Sequence, residues 1–282
     1  KDDLENIFIH ADDNNQNIDS VIHCAGLKSV NQSITEPLLY WETNLCGTIN
    51  LLKVMKKYSC YELIFSSSAC VYSSINNNKL DENSLIGPSN PYGYTKSTIE
   101  KILENLFLSE PNKWRISSLR YFNPIGAHNS GLIGENPSGK PNNIFPSILL
   151  VASKKIKHLE IYGNDWPSRD GTCVRDYIHI LDLADGHIMA LEKLFKSKPN
   201  IINLNLGTGK STTILELIKC FERVNKIKIP YVFTNRRDGD MWHLVANNSL
   251  AANIFKWSPQ RSLEEMCVDG WRWQKMNPNG YE

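Results

Sequence analysis

The chain has 282 residues, enough for one large domain or two modest ones around a sizeable core. Its 31 basic and 30 acidic residues leave a net charge of +1, which argues against a polyanion-binding surface and disfavours a nucleic-acid module. No apolar run reaches membrane-spanning length, and the opening Lys1-Asp2-Asp3-Leu4-Glu5 has no leader character. The seven cysteines are odd in number and form no Cys-x-x-Cys pair, which fits reduced thiols in a cytosolic protein. The histidines show no metal-ligand spacing, so no metal site is expected.

In chain order, the polar loop Asp12-Asp13-Asn14-Asn15-Gln16-Asn17 leads into a short strand, Val21-Ile22-His23-Cys24-Ala25. Gly26 follows directly, with Lys28 two residues on. A glycine just past a strand lets the backbone approach a ligand, and a lysine there suits a phosphate; an ordinary turn is the plain alternative. A helical pattern then carries Leu38, Leu39, Trp41, Leu45, Ile49, Leu52 and Met55 mostly on one broad face. Its polar Asn44 is either a buried ligand contact or a surface residue.

The apolar run Leu63-Ile64-Phe65 reads as a buried strand closed by Ser66-Ser67-Ser68. After a loop containing Asn76-Asn77-Asn78, a helix opens at Pro91-Tyr92 with Ile99, Ile102, Leu103 and Leu106 on its apolar face. Tyr92 and Lys96 are four apart, so they share a helix face one turn apart. An ammonium beside a phenol favours the phenolate, which lets the tyrosine act as a base near neutral pH. Ser68 at the strand end completes a proton path. Tyr-x-x-x-Lys alone is common and usually marks only an exposed helix start; strand, serine triplet and Pro91-Tyr92 together favour the chemical reading. A further strand over 116–122 ends in Asn123-Pro124-Ile125-Gly126.

Strand, helix, strand, helix, strand at crossover spacing predicts a parallel sheet covered by helices on both faces. Ligands of such sheets bind beyond the carboxyl ends of the strands, where Gly26, Ser68 and Asn123 stand. From Gly126 to Asn143 the texture turns to Gly, Pro, Asn and Ser, a long loop of the functional kind. A strand over 159–162, a strand over 174–179, a helix over 181–195 and a strand over 204–206 follow. Gly207-Thr208-Gly209-Lys210-Ser211 is not a phosphate-binding P-loop, because that motif needs glycine where Leu204 stands. A helix over 213–224, a strand over 231–233 and the charged loop Arg236-Arg237-Asp238-Gly239-Asp240 come next. That loop either grips a phosphorylated ligand or is a solvated turn. Trp271 and Trp273 read as packing residues.

These motifs together resemble the UDP-glucose 4-epimerase (UDP-galactose 4-epimerase) family of extended short-chain dehydrogenases/reductases. The matching stretches are Val21–Lys28, Ile64–Ala69, Tyr92-x-x-x-Lys96, Leu119-Arg120-Tyr121-Phe122-Asn123-Pro124, Pro141-Asn142-Asn143, Val174–His179 and Arg236–Asp240. The resemblance runs from about residue 18 to the end. It implies a Rossmann-like, doubly wound α/β fold: a partial NAD-binding domain over 1–123, with 172–196 returning to it, and a smaller α/β domain over 124–282 for the UDP-sugar. It implies interconversion of UDP-galactose and UDP-glucose by hydride transfer at C4 to tightly bound NAD, through a 4-keto sugar. Tyr92 takes the 4-hydroxyl proton, Lys96 holds the nicotinamide ribose and lowers the Tyr92 pKa, and Ser68 hydrogen-bonds the 4-oxygen. Cys24, Ala25, Gly26, Leu27, Lys28, Asn44 and Phe122 line the NAD site with them. Asn123, Asn143, Tyr162, Arg175, Arg237 and Asp240 hold the UDP-sugar, with Lys28 at its edge and Arg175 and Arg237 countering the diphosphate. Relatives often form homodimers through two long helices, here 44–58 and 92–108.

Two features depart from the family pattern. No Gly-x-x-Gly-x-x-Gly turn precedes residue 18, so the reading is an N-terminally truncated epimerase whose isolated chain binds NAD weakly and turns over little. Leu244 occupies a pocket position that is Tyr or a small residue in relatives, beside Trp242 and His243. UDP-galactose and UDP-glucose are the expected substrates, with N-acetylated sugars left open. A dehydratase or decarboxylase of the same superfamily is disfavoured because Ser68-Ala69-Cys70 carries no acidic pair. A non-catalytic UDP-sugar-binding protein is the alternative of a different class.

Overall fold

The computed structural model describes residues 2–73, 79–137, 139, 141, 143–237 and 239–281. Lys1, Asn76-Asn77-Asn78, Asn142 and Asp238 lie outside the described residues. The chain forms two compact units. The first comprises Lys1–Ser73, Glu82–Tyr121 and His187–Leu204; the second comprises Ser74–Asp81, Phe122–Gly186 and Asn205–Glu282. The segment that rejoins the first unit thus begins later than the 172–196 of the sequence reading.

The first unit opens with α1 (Asp2–Asp13), which buries Phe8, and β1 (Ser20–His23). Short helices α2 (Val30–Thr35) and α3 (Pro37–Tyr40) follow, then a π-helical turn, Trp41–Cys46, that runs into α4 (Gly47–Lys57). The single amphipathic helix expected from residue 38 is therefore broken. Leu38 and Leu39 are exposed, whereas Leu52 and Met55 reach the core. β2 (Glu62–Ser68) contains the serine triplet rather than ending before it, and a single 3-10 turn, Ala69–Val71, closes it.

Helix α5 (Pro91–Ser109) starts where its sequence says it should. The Asn90 side chain accepts a hydrogen bond from Gly93 N at 2.9 Å, and Pro91 occupies the first turn, where no donor is needed. Gly93 has a second reason. A Cβ there would come within 2.4 Å of the Cys70 carbonyl oxygen, so only glycine lets the first turn of α5 press against the end of β2. β3 (Arg115–Tyr121) completes the crossover.

In the sheet, β1 pairs with β2 and β2 with β3, all parallel, with Phe65 opposite Ser118 and Ser68 opposite Tyr121. β8 (Asn200–Leu206) lies beyond β3, giving the order β1-β2-β3-β8. Parallel neighbours need a long crossover, and α4 and α5 supply it. Leu51, Leu52, Val54 and Met55 of α4 and Ile99 and Leu103 of α5 pack with Leu63, Phe65, Trp114 and Ile116. Each such fully buried side chain contributes about 1.5–3 kcal/mol, which fixes the helices on the strands.

The second unit takes in β4 (Asn123–Ile125), α6 (Ile144–Ala152), β5 (Leu159–Tyr162), β6 (Val174–Arg175) and β7 (Tyr177–His179). α7 (Ile180–Lys196) begins in it. After β8 come β9 (Thr212–Thr213), α8 (Ile214–Asn225), β10 (Tyr231–Thr234), β11 (His243–Leu244), α9 (Ser249–Phe255) and α10 (Leu263–Met276). β10 pairs with β5, β4 with β7, and β6 lies between β11 and β9. Capping boxes, Thr213 with Glu216 and Ser262 with Glu265, start α8 and α10. Trp273 is buried and Trp271 packs on the core formed with Phe145, Ile148, Leu217 and Phe221, as packing residues should.

The rejected P-loop has a physical answer. Asp176 is fully buried, and its Oδ1 accepts from Thr208 N (2.8 Å) and Thr208 Oγ1 (2.5 Å). Its Oδ2 accepts from Gly209 N (2.8 Å) and Ala246 N (3.1 Å). The amides that would cradle a phosphate are filled by the protein's own carboxylate.

Candidate active site

In the first unit the carboxyl ends of β1 and β2 and the start of α5 bring together several of the residues picked out from the sequence. Cys24, Ala25, Gly26 and Lys28 are exposed just past β1. The buried Asn44 clamps the backbone behind them: its Oδ1 accepts from Leu27 N at 2.7 Å and its Nδ2 donates to Leu27 O at 3.0 Å. The same Nδ2 donates to Thr95 Oγ1 at 3.2 Å, and Thr95 Oγ1 donates to Tyr92 O at 2.8 Å. One amide thus ties the ledge after β1 to the helix that bears Tyr92 and Lys96. Gly26 has φ +153, and a Cβ there would stand 3.0 Å from Asn44 Oδ1, so the glycine is needed for both the turn and the clamp. A ledge of exposed backbone without a side chain at its centre fits a flat dinucleotide.

Tyr92 and Lys96 share the buried face of α5, with Nζ 5.9 Å from the Tyr92 ring centroid. Lys96 Nζ donates to Ser66 O at 2.7 Å and lies 4.8 Å from the Phe65 ring centroid. Burial pulls the Lys96 pKa down to about 8, against the opposing pull of Cys24 and Glu100. The expected lowering of the Tyr92 pKa is not what the geometry gives. Burial, reinforced by Cys70, pushes the phenol above its usual range, and only the Ser68 hydroxyl opposes the rise by hydrogen bonding. Lys96 points its charge at the Ser66 carbonyl instead of at the phenol. Ser68 Oγ accepts from Cys70 N at 3.2 Å and stands within reach of Tyr92.

Beneath the pair lies a network that sequence reasoning missed. Ser67 Oγ donates to Glu100 Oε1 at 2.5 Å, and Arg120 grips the same carboxylate with Nε (3.0 Å) and Nη2 (2.7 Å). Arg120 Nη1 donates to Tyr72 OH at 2.9 Å. Glu100 is one turn beyond Lys96, so the spacing Tyr92, Lys96, Glu100 was the available signal.

The second unit gathers a different set. The Arg237 guanidinium lies 3.7 Å from the centroid of the Tyr162 ring, and Arg237 O accepts from Asp240 N at 3.3 Å. Arg175 sits on β6 opposite Leu244 of β11. The buried Cys173 thiol, raised by burial, is lowered by Arg175 and Arg237 and raised by Asp240, so all three charges surround it. Asn123 lies opposite Tyr177 in the β4–β7 pair. Four buried atoms here, Asn123 Oδ1, Tyr177 OH, Arg237 Nε and His243 Nδ1, have no hydrogen-bond partner among the described residues. Cys173 was not singled out from the sequence, and Tyr177 and His243 were named there without a role; the period-two spacing of 173, 175 and 177 could have shown the first two. Asn143 stands exposed at the N-cap of α6, where its side chain makes no capping bond and its carbonyl accepts from Ser147 Oγ at 2.9 Å. Phe122 opens the second unit, buried, its N donating to Leu206 O at 3.2 Å. Arg236, in contrast, is spent on Asp165 (2.8 Å) and on the Trp166 ring (4.0 Å).

Known proteins share both the sequence and the fold of this chain. The pattern of the NAD dependent epimerase/dehydratase family matches residues 8–205. The chain is 47% identical over 265 residues to a UDP-glucose 4-epimerase of Bacillus subtilis, covering 94% of this chain and 78% of the relative. It superposes on a UDP-glucose 4-epimerase from Bifidobacterium longum, solved in complex with NAD+ and UDP, with a TM-score of 0.92 and 41% identity over 98% of this chain and 82% of that one. A Stenotrophomonas maltophila UDP-glucose-4-epimerase with bound NAD and formylated UDP-arabinopyranose gives 0.91 and 40%, covering 98% and 80%. The chain belongs to the UDP-glucose 4-epimerase family, within the NAD-dependent epimerases and dehydratases.

Proposed function

We propose that this chain interconverts UDP-galactose and UDP-glucose with NAD as its cofactor. The observation that carries the assignment of roles is the buried Tyr92–Lys96 face set beside Ser68 and the Asn44-clamped ledge. Cys24 to Lys28, Asn44, Lys96 and Phe122 hold the cofactor. NAD, when bound, supplies an acceptor for the C4 hydride and gives it back, so the sugar passes through a 4-keto state. Tyr92 takes the proton of the 4-hydroxyl and later returns it to the 4-oxygen. Ser68, already hydrogen-bonded near the phenol, steadies that oxygen. Lys96 keeps a positive charge at the base of the site.

The second unit supplies the grip on the nucleotide. Arg175 and Arg237 counter the diphosphate, since guanidinium binds phosphate with two parallel bonds. Asn123, Asn143, Tyr162 and Asp240 complete the hold. Leu244, buried beside Arg175, sets the size of sugar accepted. No described helix is long and apolar enough to cross a membrane. The seven free cysteines support a reducing, cytoplasmic setting. The deciding experiment supplies the purified chain with NAD and UDP-galactose and follows UDP-glucose by chromatography. Formation of UDP-glucose that stops in Tyr92→Phe supports the reading; binding of UDP with no conversion overturns it.

A further inference from the structure

Tyr121, the last residue of β3, has no part in the roles assigned above, yet its phenol is closely surrounded. Its hydroxyl shares a short hydrogen bond with His187 Nε2 of α7, the two rings lying 5.3 Å apart at 59°. Ser66 of β2 and Cys24 at the end of β1 also hydrogen-bond to it, and Tyr92 is close enough to be felt by its charge. The parallel register places Tyr121 opposite Ser68, so both side chains leave the sheet on one face. The phenol therefore stands among the strand ends that the cofactor reading assigns to NAD.

His187 is equally out of pattern. On α7 the residues Leu183, Ala190 and Leu194 are buried, and 183, 187, 190 and 194 form one helical stripe. His187 is itself only half-buried in this stripe, and a polar partner satisfies its ring where solvent does not reach it. Tyr121 is that partner. The phenol has one hydrogen to give. If Nε2 of a neutral imidazole receives it, the oxygen lone pairs remain for Ser66 and Cys24, and the ring is fixed in rotation and depth.

We propose that His187 is a positioning residue for the cofactor: it takes the hydrogen bond of the Tyr121 hydroxyl, and the phenol so fixed forms the wall against which the reactive end of NAD rests beside Tyr92. This rests on NAD occupying the strand ends of the first unit. His187 touches neither cofactor nor sugar; it acts through Tyr121.

The test measures NAD and UDP affinities by titration calorimetry for the full chain, His187→Phe, His187→Gln, Tyr121→Phe and the double variant Tyr121→Phe/His187→Phe. His187→Phe and Tyr121→Phe should each weaken NAD binding about tenfold, the worth of one hydrogen bond. The double variant should be no weaker than either single one, because both remove the same interaction. His187→Gln, which keeps an acceptor, should stay within about threefold of the parent, and UDP affinity should move less than about twofold in every variant. Additive losses in the double variant, unchanged NAD affinity in His187→Phe, or parallel loss of NAD and UDP binding each overturn the proposal. Should His187→Phe fail to melt cooperatively, His187→Gln in the Tyr121→Phe background decides. The glutamine must cost nothing once the phenol oxygen is gone, and a cost there overturns the proposal. Absence of NAD binding in the parent chain overturns the cofactor assignment itself and is read separately.

Discussion

Around Tyr92 the buried polar side chains answer one another: Asn44 meets both backbone groups of Leu27, Lys96 meets the Ser66 carbonyl, and Glu100 is gripped by Arg120 and Ser67. Around Arg175 they do not, and Asn123 Oδ1, Tyr177 OH, Arg237 Nε and His243 Nδ1 are buried without partners among the described residues. A buried polar atom left unpaired costs free energy unless something else satisfies it. On the proposed reading, the first region is preorganised for a proton transfer that tolerates little misplacement. On the same reading, the second keeps unpaired donors and acceptors for a ligand rich in both, as a nucleoside diphosphate is.

The sharpest way to separate them is to remove the proton carrier. Tyr92→Phe should lower kcat by about 10³-fold, within the range of a lost general acid–base. UDP affinity should scarcely change. Stopped turnover with intact UDP binding, read by chromatography and calorimetry, supports the division; loss of both breaks it.

Next in size is the network beneath Tyr92. Arg120 and Glu100 are almost fully buried, with side chains 3% and 7% exposed. Arg120→Met leaves the Glu100 carboxylate buried without its cation, which should destabilise the chain by about 3–5 kcal/mol in urea unfolding. Adding Glu100→Gln should recover much of that loss. A single substitution that costs under about 1 kcal/mol would show that the pair does not hold α5 in place.

A third test uses pH. His23 Nε2 lies 2.8 Å from Thr48 Oγ1, and burial, helped by the Lys96 charge, holds the imidazole pKa down to about 4 against a usual 6.5. Between those values the unfolded chain binds a proton that the folded chain refuses. Stability from this group is therefore complete above pH 6.5 and is lost as pH falls toward 4, by about 3 kcal/mol at about 1.4 kcal/mol per unit. Lys96 has the same sign at higher pH: its ammonium is disfavoured by burial, so its contribution rises as pH climbs from about 8 toward 10.5. Urea unfolding at pH 7 and 4.5 should show a steep loss for the parent and a shallower one for His23→Gln. Equal slopes break the argument.

What the sequence made legible was local. The strand at Leu63-Ile64-Phe65, the Pro91-Tyr92 start of α5 and the Tyr92–Lys96 spacing all depend on residues within a turn or two of each other, whereas the capping boxes of α8 and α10 went unread. Asn44 was readable only as an ambiguity, a polar residue in an apolar pattern. Its resolution needed Leu27 and Thr95, which are 17 and 51 positions away. α6 was missed because Ile144–Ala152 is apolar all round and carries Pro146, which reads against a helix although its first turn tolerates it. The raised Tyr92 pKa was illegible for a related reason. Spacing puts an ammonium beside a phenol, but only the fold shows that Lys96 is turned to the Ser66 carbonyl and that the phenol is buried.

The finest test of the comparison lies in Arg237. Its guanidinium lies over the Tyr162 ring at 3.7 Å while its Nε is buried with no partner among the described residues. A lysine there would keep the charge but lose the plane that stacks and the fork that meets phosphate with two bonds. If the reserve of unpaired donors is what holds the nucleotide, Arg237→Lys should weaken UDP binding about tenfold, roughly 1.4 kcal/mol, with charge conserved. If long-range attraction to the diphosphate is what matters, the lysine should bind UDP nearly as well as the parent at low salt and lose affinity as salt is raised. Calorimetric titration of UDP into parent and variant at two ionic strengths separates the cases. A tenfold deficit that is the same at both strengths assigns Arg237 to geometry, whereas parent and variant affinities that stay equal and fall together as salt is raised assign it to charge.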